Sequence, residues 1–329
     1  MIFFAIVCAL LLEQAWPLAR RNPLQAGLRR WARWTGRNFD AGDSAHGVIA
    51  WSICIGLPVA AVVGLHWVLQ TGIGWPAAML WDIAVLYATL GFRQFSRHFT
   101  GIREQLARGD EASARARLAQ WQQVDTHDVP QGELVRHVIE AFVLTAHRRV
   151  FGVLAWYSVL AALGLGPAGA VLYRLAEFVA RYWRRRDAKS PNGALRRVTR
   201  VCWHVIDWLP TRLTAASFAV VGSFEEAIDG WRRHARQFPD DNDGVILAAT
   251  AGALNVRLGG AVLESAADYP STGAQGLDDS DSLPRPLASV PTPGRDAELA
   301  HLRGVVGLVG RSVVMWLVLL ALLTLARLL

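Results

Sequence analysis

Long apolar runs alternate with arginine-rich polar stretches along the chain, and that alternation predicts most of its helices. The first run extends from Ile2 to about Leu18. No basic residue precedes it, no small-residue cleavage pattern follows it, and a dense arginine cluster lies on its C-terminal side. It therefore reads as a first membrane helix with its N-terminus outside, not as a signal peptide. Gly47 to Gln70 is long enough for a second span, and Trp75 to Phe92 gives a third near the lower limit of roughly 17 residues. Trp51, Trp67, Trp75 and Trp81 fall near the ends of these runs, as an interfacial aromatic belt requires. Val305 to Leu325 makes the last span.

Arginine placement sets the expected orientation. Arg20, Arg21, Arg29, Arg30, Arg33 and Arg37 fill the first connection, whereas Thr71 to Gly74 carries no charge. Arg93, Arg97, Arg103, Arg108, Arg115 and Arg117 follow the third span. Rich, empty and rich connections read as cytoplasm, periplasm and cytoplasm. The apolar region from Val150 to about Trp183 is bounded by Arg148 and Arg149 before it and Arg184, Arg185 and Arg186 after it, so both of its ends belong on the cytoplasmic side. Gly164, Gly166, Pro167 and Gly169 interrupt its middle, which predicts a broken or re-entrant helical hairpin.

Helical periodicity continues between the spans. Ile102 to Trp121 reads as helix, turn at Gly109, Asp110 as N-cap, and helix again. Leu134, Val138, Ala141 and Phe142 recur at helical spacing, and Trp203 to Trp231 suits helices at the membrane surface. Ala266 to Glu298 is rich in Pro, Ser, Gly and Asp without periodicity. The expected partition is membrane helices over 1–92, a cytoplasmic helical region over 93–149, the hairpin over 150–183, a cytoplasmic or membrane-associated helical region over 184–263, a flexible linker over 264–300 and a C-terminal membrane helix over 301–329. The expected fold is all-α: a polytopic helical membrane protein with about four transmembrane helices, lodged in the bacterial inner membrane with both termini periplasmic.

Composition agrees. The 329 residues are 53% hydrophobic and 19% charged, below the roughly 25% charged content of soluble domains. The net charge of +7 is carried almost wholly by arginine, Lys189 being the only lysine. Arginine clusters flanking apolar spans explain that charge, so no nucleic-acid partner is implied. The cysteines, Cys8, Cys54 and Cys202, form neither a disulfide framework nor a zinc spacing.

Ionisable residues inside apolar runs are the first candidates for chemistry. Glu13 and Asp82 are placed to meet arginines from neighbouring helices, His66 reads as an interfacial histidine, and Glu177 lies within helical reach of Arg174 and Arg181. Phosphate-cradling and nucleophile-elbow motifs are absent.

Several short patterns resemble the membrane synthases of cobalamin biosynthesis called CobD or CbiB. Gly109-Asp110, Ala114-Arg115, Leu118 and Asp125-Thr126 are similar to a "GD…AR..L…RDT" stretch, and Glu140 to the first Glu of "ESVAEN". Gly166-Pro167 to Tyr173-Arg174 resembles "G.PGA..YR", and Pro210 to Thr214 resembles "PARLT". The run from Asn242-Asp243-Gly244 through Ala251-Gly252-Ala253-Leu254 to Arg257-Leu258-Gly259-Gly260 resembles "N.G……AGALGVRLGG". AmpE, a membrane protein linked to β-lactamase regulation, is similar in its opening and hydropathy.

The resemblance implies an inner-membrane enzyme joining an aminopropanol, or its phosphate, to a propionate carboxylate of adenosylcobyric acid, with ATP and Mg²⁺ as cofactors. Its partners would be the lipid bilayer, a corrinoid substrate and cobalamin-pathway proteins. Arg212, Asn242 and Arg257 would then bind phosphate or carboxylate. Asp125 and Glu140 would serve Mg²⁺ or proton transfer. Departures stand beside these matches. Leu144 and Thr145 replace the second Glu and the Asn of "ESVAEN", and Arg148 and Arg149 replace an Asp-Gly. "NTLD" becomes Glu177, Phe178, Val179 and Ala180, and Leu247 replaces another acid. Two readings follow: a divergent synthase or its partner, and an AmpE-like non-catalytic sensor or regulator. A transporter-like bundle ranks third, since no inverted repeat is visible.

Overall fold

The computed structural model describes residues 2–16, 23–39, 43–122, 126–127, 129–186, 193–260 and 289–326. Among them every regular element is helical, and a lone backbone bridge pairs Val256 with Arg295. The order is α1 (Ile2–Ala15), α2 (Pro23–Asn38), α3 (Ser44–Gly72), α4 (Trp75–Thr89), α5 (Phe92–Ala107), α6 (Glu111–Gln122) and α7 (Gln131–Ala146). A π-helical turn (His147–Phe151) joins α7 to α8 (Gly152–Ala162), followed by α9 (Ala168–Arg186) and α10 (Ala194–Val221). The series ends with α11 (Phe224–His234), a short 3₁₀ turn (Ala235–Gln237), α12 (Asp241–Leu254) and α13 (Leu299–Ala326).

Among the described residues, two helices are long and apolar enough to cross a bilayer. With 29 and 28 residues, α3 and α13 reach about 44 and 42 Å at a rise of about 1.5 Å per residue. Their surfaces stay open: Leu57, Leu65, Val68, Val314, Val318, Leu322 and Leu323 are all exposed, which suits lipid contact rather than a soluble core. At 14 and 15 residues, α1 and α4 reach only about 21 and 22 Å, short of a hydrocarbon core about 30 Å thick. The expected total of four spans therefore rests on two helices that meet the length requirement and two that do not.

The chain divides into two compact units. The first holds residues 1–92, 148–210 and 317–329. Within it α1 packs on α4, α3 on α4 and α9, and α8 on α9. Helices α8 and α9 pack on each other across a turn that holds Gly164, Gly166 and Pro167. The Trp67 indole donates to the Gly164 carbonyl at 3.0 Å. Asp82, expected to meet an arginine, instead pairs with His66 at 2.9 Å and accepts from the Tyr157 hydroxyl at 3.2 Å. These partners lie on three helices, so no local spacing reveals them.

The second unit holds residues 93–147 and 211–316. Its α11 and α12 form a tightly packed pair, with α7 on α12 and α6 on α7. Asp110 caps α6 as expected, its carboxylate accepting from the Ser113 amide at 3.1 Å. Helix α7 is buried on every side from Leu134 to Ala146, although its apolar positions predict one buried stripe. The charged residues on its remaining faces are therefore forced to pair inside the unit.

Of the expected linker, residues 261–288 fall outside the described residues. The stretch from Ser289 to Asp296 runs beside Asn255–Gly260: Arg257 N–H donates to the Arg295 carbonyl at 2.7 Å, and Thr292 N–H to the Leu258 carbonyl at 2.8 Å. Irregular sequence here still satisfies its backbone groups.

Candidate functional site

The second unit carries the residues singled out from the sequence. Asp125 itself lies outside the described residues. Its neighbour Thr126 is buried and donates to the Arg115 carbonyl at 3.0 Å, while the Arg115 guanidinium bonds the Val129 carbonyl at 3.1 Å and Glu111 at 3.0 Å. Arg115 and Thr126 thus tie α6 to the loop that follows it.

Glu140 is fully buried in the middle of α7. Its Oε1 accepts from Arg136 at 3.0 Å and from the Gly259 backbone N–H at 2.7 Å. Arg136 also bonds Glu133 and reaches Nε2 of His137 at 3.1 Å. A guanidinium only donates, so Nε2 accepts and the proton sits on Nδ1. That nitrogen faces Glu140 Oε2 at 3.5 Å. Burial alone pushes the Glu140 carboxyl up, but His137, Arg136 and the Gly259 N–H outweigh it and hold it below the usual carboxylate range. Burial likewise disfavours the Arg136 charge, and the carboxylates of Glu140 and Glu133 more than restore it. Glu140 is therefore a committed anion. A general base near neutrality needs a raised pKa, so this geometry suits positioning rather than proton transfer.

What Glu140 positions is the loop after α12. Gly259 has φ +83°, in the left-handed region where glycine carries no Cβ penalty. Its N–H turns toward Glu140 for that reason, and the next amide, of Gly260, bonds the Ser289 hydroxyl at 3.2 Å. Two residues earlier Arg257 points outward and bonds Asp296 at 2.8 Å, its side chain 49% exposed.

At the other end of α12, Asp240 caps the helix by accepting from the amides of Asn242 and Asp243, at 3.0 and 3.4 Å. Asn242 is buried, and its side-chain oxygen accepts from Arg212 on α10 at 3.0 Å. The structure thus brings Arg212 and Asn242 together at the N-terminus of α12, a place that favours anions. Arg257 and Glu140 serve the loop at the C-terminal end of the same helix.

Sequence reasoning missed Arg136 and His137. Their signal was available: Glu133, Arg136, His137 and Glu140 follow the i, i+3, i+4, i+7 spacing that puts charges on one helix face. Also unforeseen is a cleft of about 560 Å³ between α11, α12 and the 292–294 stretch, lined by Glu225, Glu226, Asp229, Arg233 and Asn255 among others. None of Glu140, Arg212, Asn242 or Arg257 lines it.

Mg²⁺ needs several hard oxygen ligands at one point. Among the described residues no group of three or more acidic, histidine or cysteine side chains is placed to hold a metal. Glu140 Oε1 is already taken by Arg136 and Gly259, beside a cation, so the described residues do not fit Mg²⁺ there.

Among the described residues every regular element is helical, and two of these helices are long and apolar enough to cross a membrane. Comparison with known proteins makes the class more specific. This chain belongs to the CobD/Cbib protein family, whose model matches residues 6–282. It is 31% identical over 270 residues to the cobalamin biosynthesis protein CobD of Stutzerimonas stutzeri, covering 80% of this chain and 84% of that protein. The CobD of Chromobacterium violaceum is 33% identical over 180 residues, covering 54% of this chain and 55% of the relative. The CobD of Mycobacterium tuberculosis strain H37Rv is 32% identical over 226 residues, covering 65% and 68%. No solved structure matches the chain.

Proposed function

We propose that this protein acts in cobalamin biosynthesis, forming an amide between an aminopropanol, or its phosphate, and a propionate carboxylate of adenosylcobyric acid. The observation that carries the reading is the Arg212–Asn242 pair, 3.0 Å apart at the N-terminus of α12. It joins two stretches that resemble the synthases and offers a guanidinium beside a helix start, a combination suited to phosphate or carboxylate. Arg257, exposed on the Gly259–Gly260 loop, is a second anion contact, and Glu140 with Arg136 holds that loop in place. Asp125 is the remaining candidate for proton transfer. ATP would activate the carboxylate. Since the described residues do not fit Mg²⁺, no step through it is assigned to them.

In this reading α1, α3, α4 and α13 cross the bacterial inner membrane, α8 and α9 form a re-entrant hairpin, and both termini are periplasmic. Short spans such as α1 and α4 are accommodated by local thinning of the bilayer. A periplasmic reporter fused after Arg37 should be inactive, because the arginine-rich first connection belongs in the cytoplasm. Reporter activity there would reverse the orientation.

Binding supplies a second check. Arg212→Ala should weaken binding of aminopropanol phosphate about tenfold or more, the loss expected when a charged hydrogen bond disappears. Arg257→Ala, at a more exposed site, should weaken it less, and Arg29→Ala not at all. Equal effects for all three, read by calorimetric titration, would remove the proposed pocket.

One observation favours a second reading, that of a non-catalytic regulator: buried arginines, Arg148 and Arg149, stand where the resemblance places an acidic pattern. Complementation of a cobalamin-synthase deletion strain on cobyric acid separates the two. Growth supports the synthase. Failure to grow with the protein verified in the membrane supports the regulator.

A further inference from the structure

Helix α2 carries four arginines, Arg29, Arg30, Arg33 and Arg37, and no acidic residue. Its seat on the first unit fixes which way most of them face. Pro58 lies inside α3 and has no N–H, so the Cys54 carbonyl four residues earlier loses its intrahelical donor. The Trp31 indole N–H of α2 fills that gap at 3.0 Å. From α9, the Trp183 indole donates to the Ala32 carbonyl at 3.1 Å, and a Cβ at Gly36 would stand 3.1 Å from the same indole nitrogen. Ala32, Thr35 and Gly36 are accordingly buried. The Pro58 break in α3 and the small residues of α2 thus set one face of α2 against the unit.

The opposite face is left open. Arg30, Arg33, Trp34 and Arg37 are all exposed, and their i, i+3, i+4, i+7 spacing puts them on one side of the helix. Arg33 reaches the Tyr182 hydroxyl at 3.4 Å, and among the described residues no carboxylate pairs with any of the three arginines. Trp34 is 47% exposed, stacks on Trp31 at 5.2 Å and meets Phe39 edge-on at 5.8 Å. Orienting a membrane protein requires arginines on the cytoplasmic side, but neither their alignment on one face nor an open indole among them. Water disfavours that indole. A headgroup layer suits both groups, since tryptophan concentrates at the membrane interface and guanidinium forks match phosphate oxygens.

We propose that the outer face of α2 binds the headgroups of anionic phospholipids, with Arg30, Arg33 and Arg37 on the phosphates and Trp34 at headgroup depth. Charge complementarity names the occupant. The face is uniformly cationic, and anionic lipids give the cytoplasmic leaflet a negative surface that draws basic residues. Helix α2 packs directly on α3, whose exposed apolar side chains suit lipid, so the two surfaces belong to one lipid-facing flank of the first unit. The proposal rests on the membrane reading of α3 and stands whether or not the chain forms an amide.

The test places the full chain in phosphatidylcholine nanodiscs that contain a trace of spin-labelled phosphatidylglycerol or, separately, spin-labelled phosphatidylcholine. Electron paramagnetic resonance reads the fraction of each label immobilised at the protein. Wild type should immobilise more phosphatidylglycerol than phosphatidylcholine, and added salt should shrink the difference. In Arg30→Gln/Arg37→Gln most of that preference should be lost. Both side chains are exposed, so the thermal midpoint in neutral detergent should not move. Arg232→Gln/Arg236→Gln removes the same charge from exposed positions of the second unit and should leave the preference intact. Equal losses in the two double variants would reduce the effect to net charge and overturn the proposal, as would a wild type without any preference. A chain that stays in solution without lipid or detergent would remove the membrane reading, and the proposal with it.

Discussion

Glu140→Ala should cost the second unit about 3–5 kcal/mol, because it leaves the Arg136 charge and the Gly259 N–H buried without their acceptor. Both lose the same oxygen, which sits at 3.0 and 2.7 Å from them. Exposed Glu133 remains beside Arg136 and only partly compensates. The effect should depend on pH with a definite sign. The folded-state pKa of Glu140 is depressed, so its contribution is complete above the unfolded carboxylate value of about 4.3 and disappears as pH falls through the folded value. Unfolding of the full chain in detergent at pH 7 should show the whole gap between wild type and variant, and the gap should close in acid. A gap below about 1 kcal/mol at pH 7, or one indifferent to acid, would mean that Glu140 is not the paired anion described.

Gly252→Ala is the second large effect, and its sign is informative. In a helix interior alanine normally exceeds glycine by about 0.8–1 kcal/mol. A Cβ at Gly252, however, would stand 2.1 Å from the Glu226 carbonyl oxygen and 2.8 Å from the Ala227 Cα, both backbone atoms of α11. Backbone cannot rotate aside as a side chain does, so α11 and α12 must separate. A net loss of about 1–3 kcal/mol is expected. Gly307→Ala on α13 is the control, since nothing lies within 4 Å of the Cβ that alanine would add there, and it should be neutral or stabilising. Denaturant midpoints for the two variants give the comparison. Equal stabilisation of both would show that the helices are not in close contact at Gly252.

Gly252 also shows what the sequence can and cannot reveal. The Ala251-Gly252-Ala253-Leu254 pattern was recognisable as a motif, but the reason for its glycine lies on α11, more than twenty positions away in the chain. The same holds for Gly259, whose left-handed backbone serves Glu140 on α7. Hydropathy revealed α3 and α13 because length and composition are local properties. Among the described residues α1 and α4 have only 14 and 15 residues, so length alone leaves two of the four expected spans unshown. Asp82 was legible as a buried acid in need of a partner, and only tertiary packing selected His66 and Tyr157 over an arginine. Arg212 and Asn242 were separate motif residues in the sequence, and packing of the second unit joined them. Arg148 and Arg149 stood out as a charge reversal, and their burial on the π-helical turn between α7 and α8 depended on tertiary packing.

The most direct test of the central claim is amide formation by the purified full chain. The protein in nanodiscs is incubated with adenosylcobyric acid, aminopropanol phosphate, ATP and Mg²⁺, and the corrinoid products are read by mass spectrometry. The account predicts a product with the mass of the two substrates less one water, formed by wild type and strongly reduced in Arg212→Ala. Folded wild-type protein that binds aminopropanol phosphate yet forms no such product would contradict it.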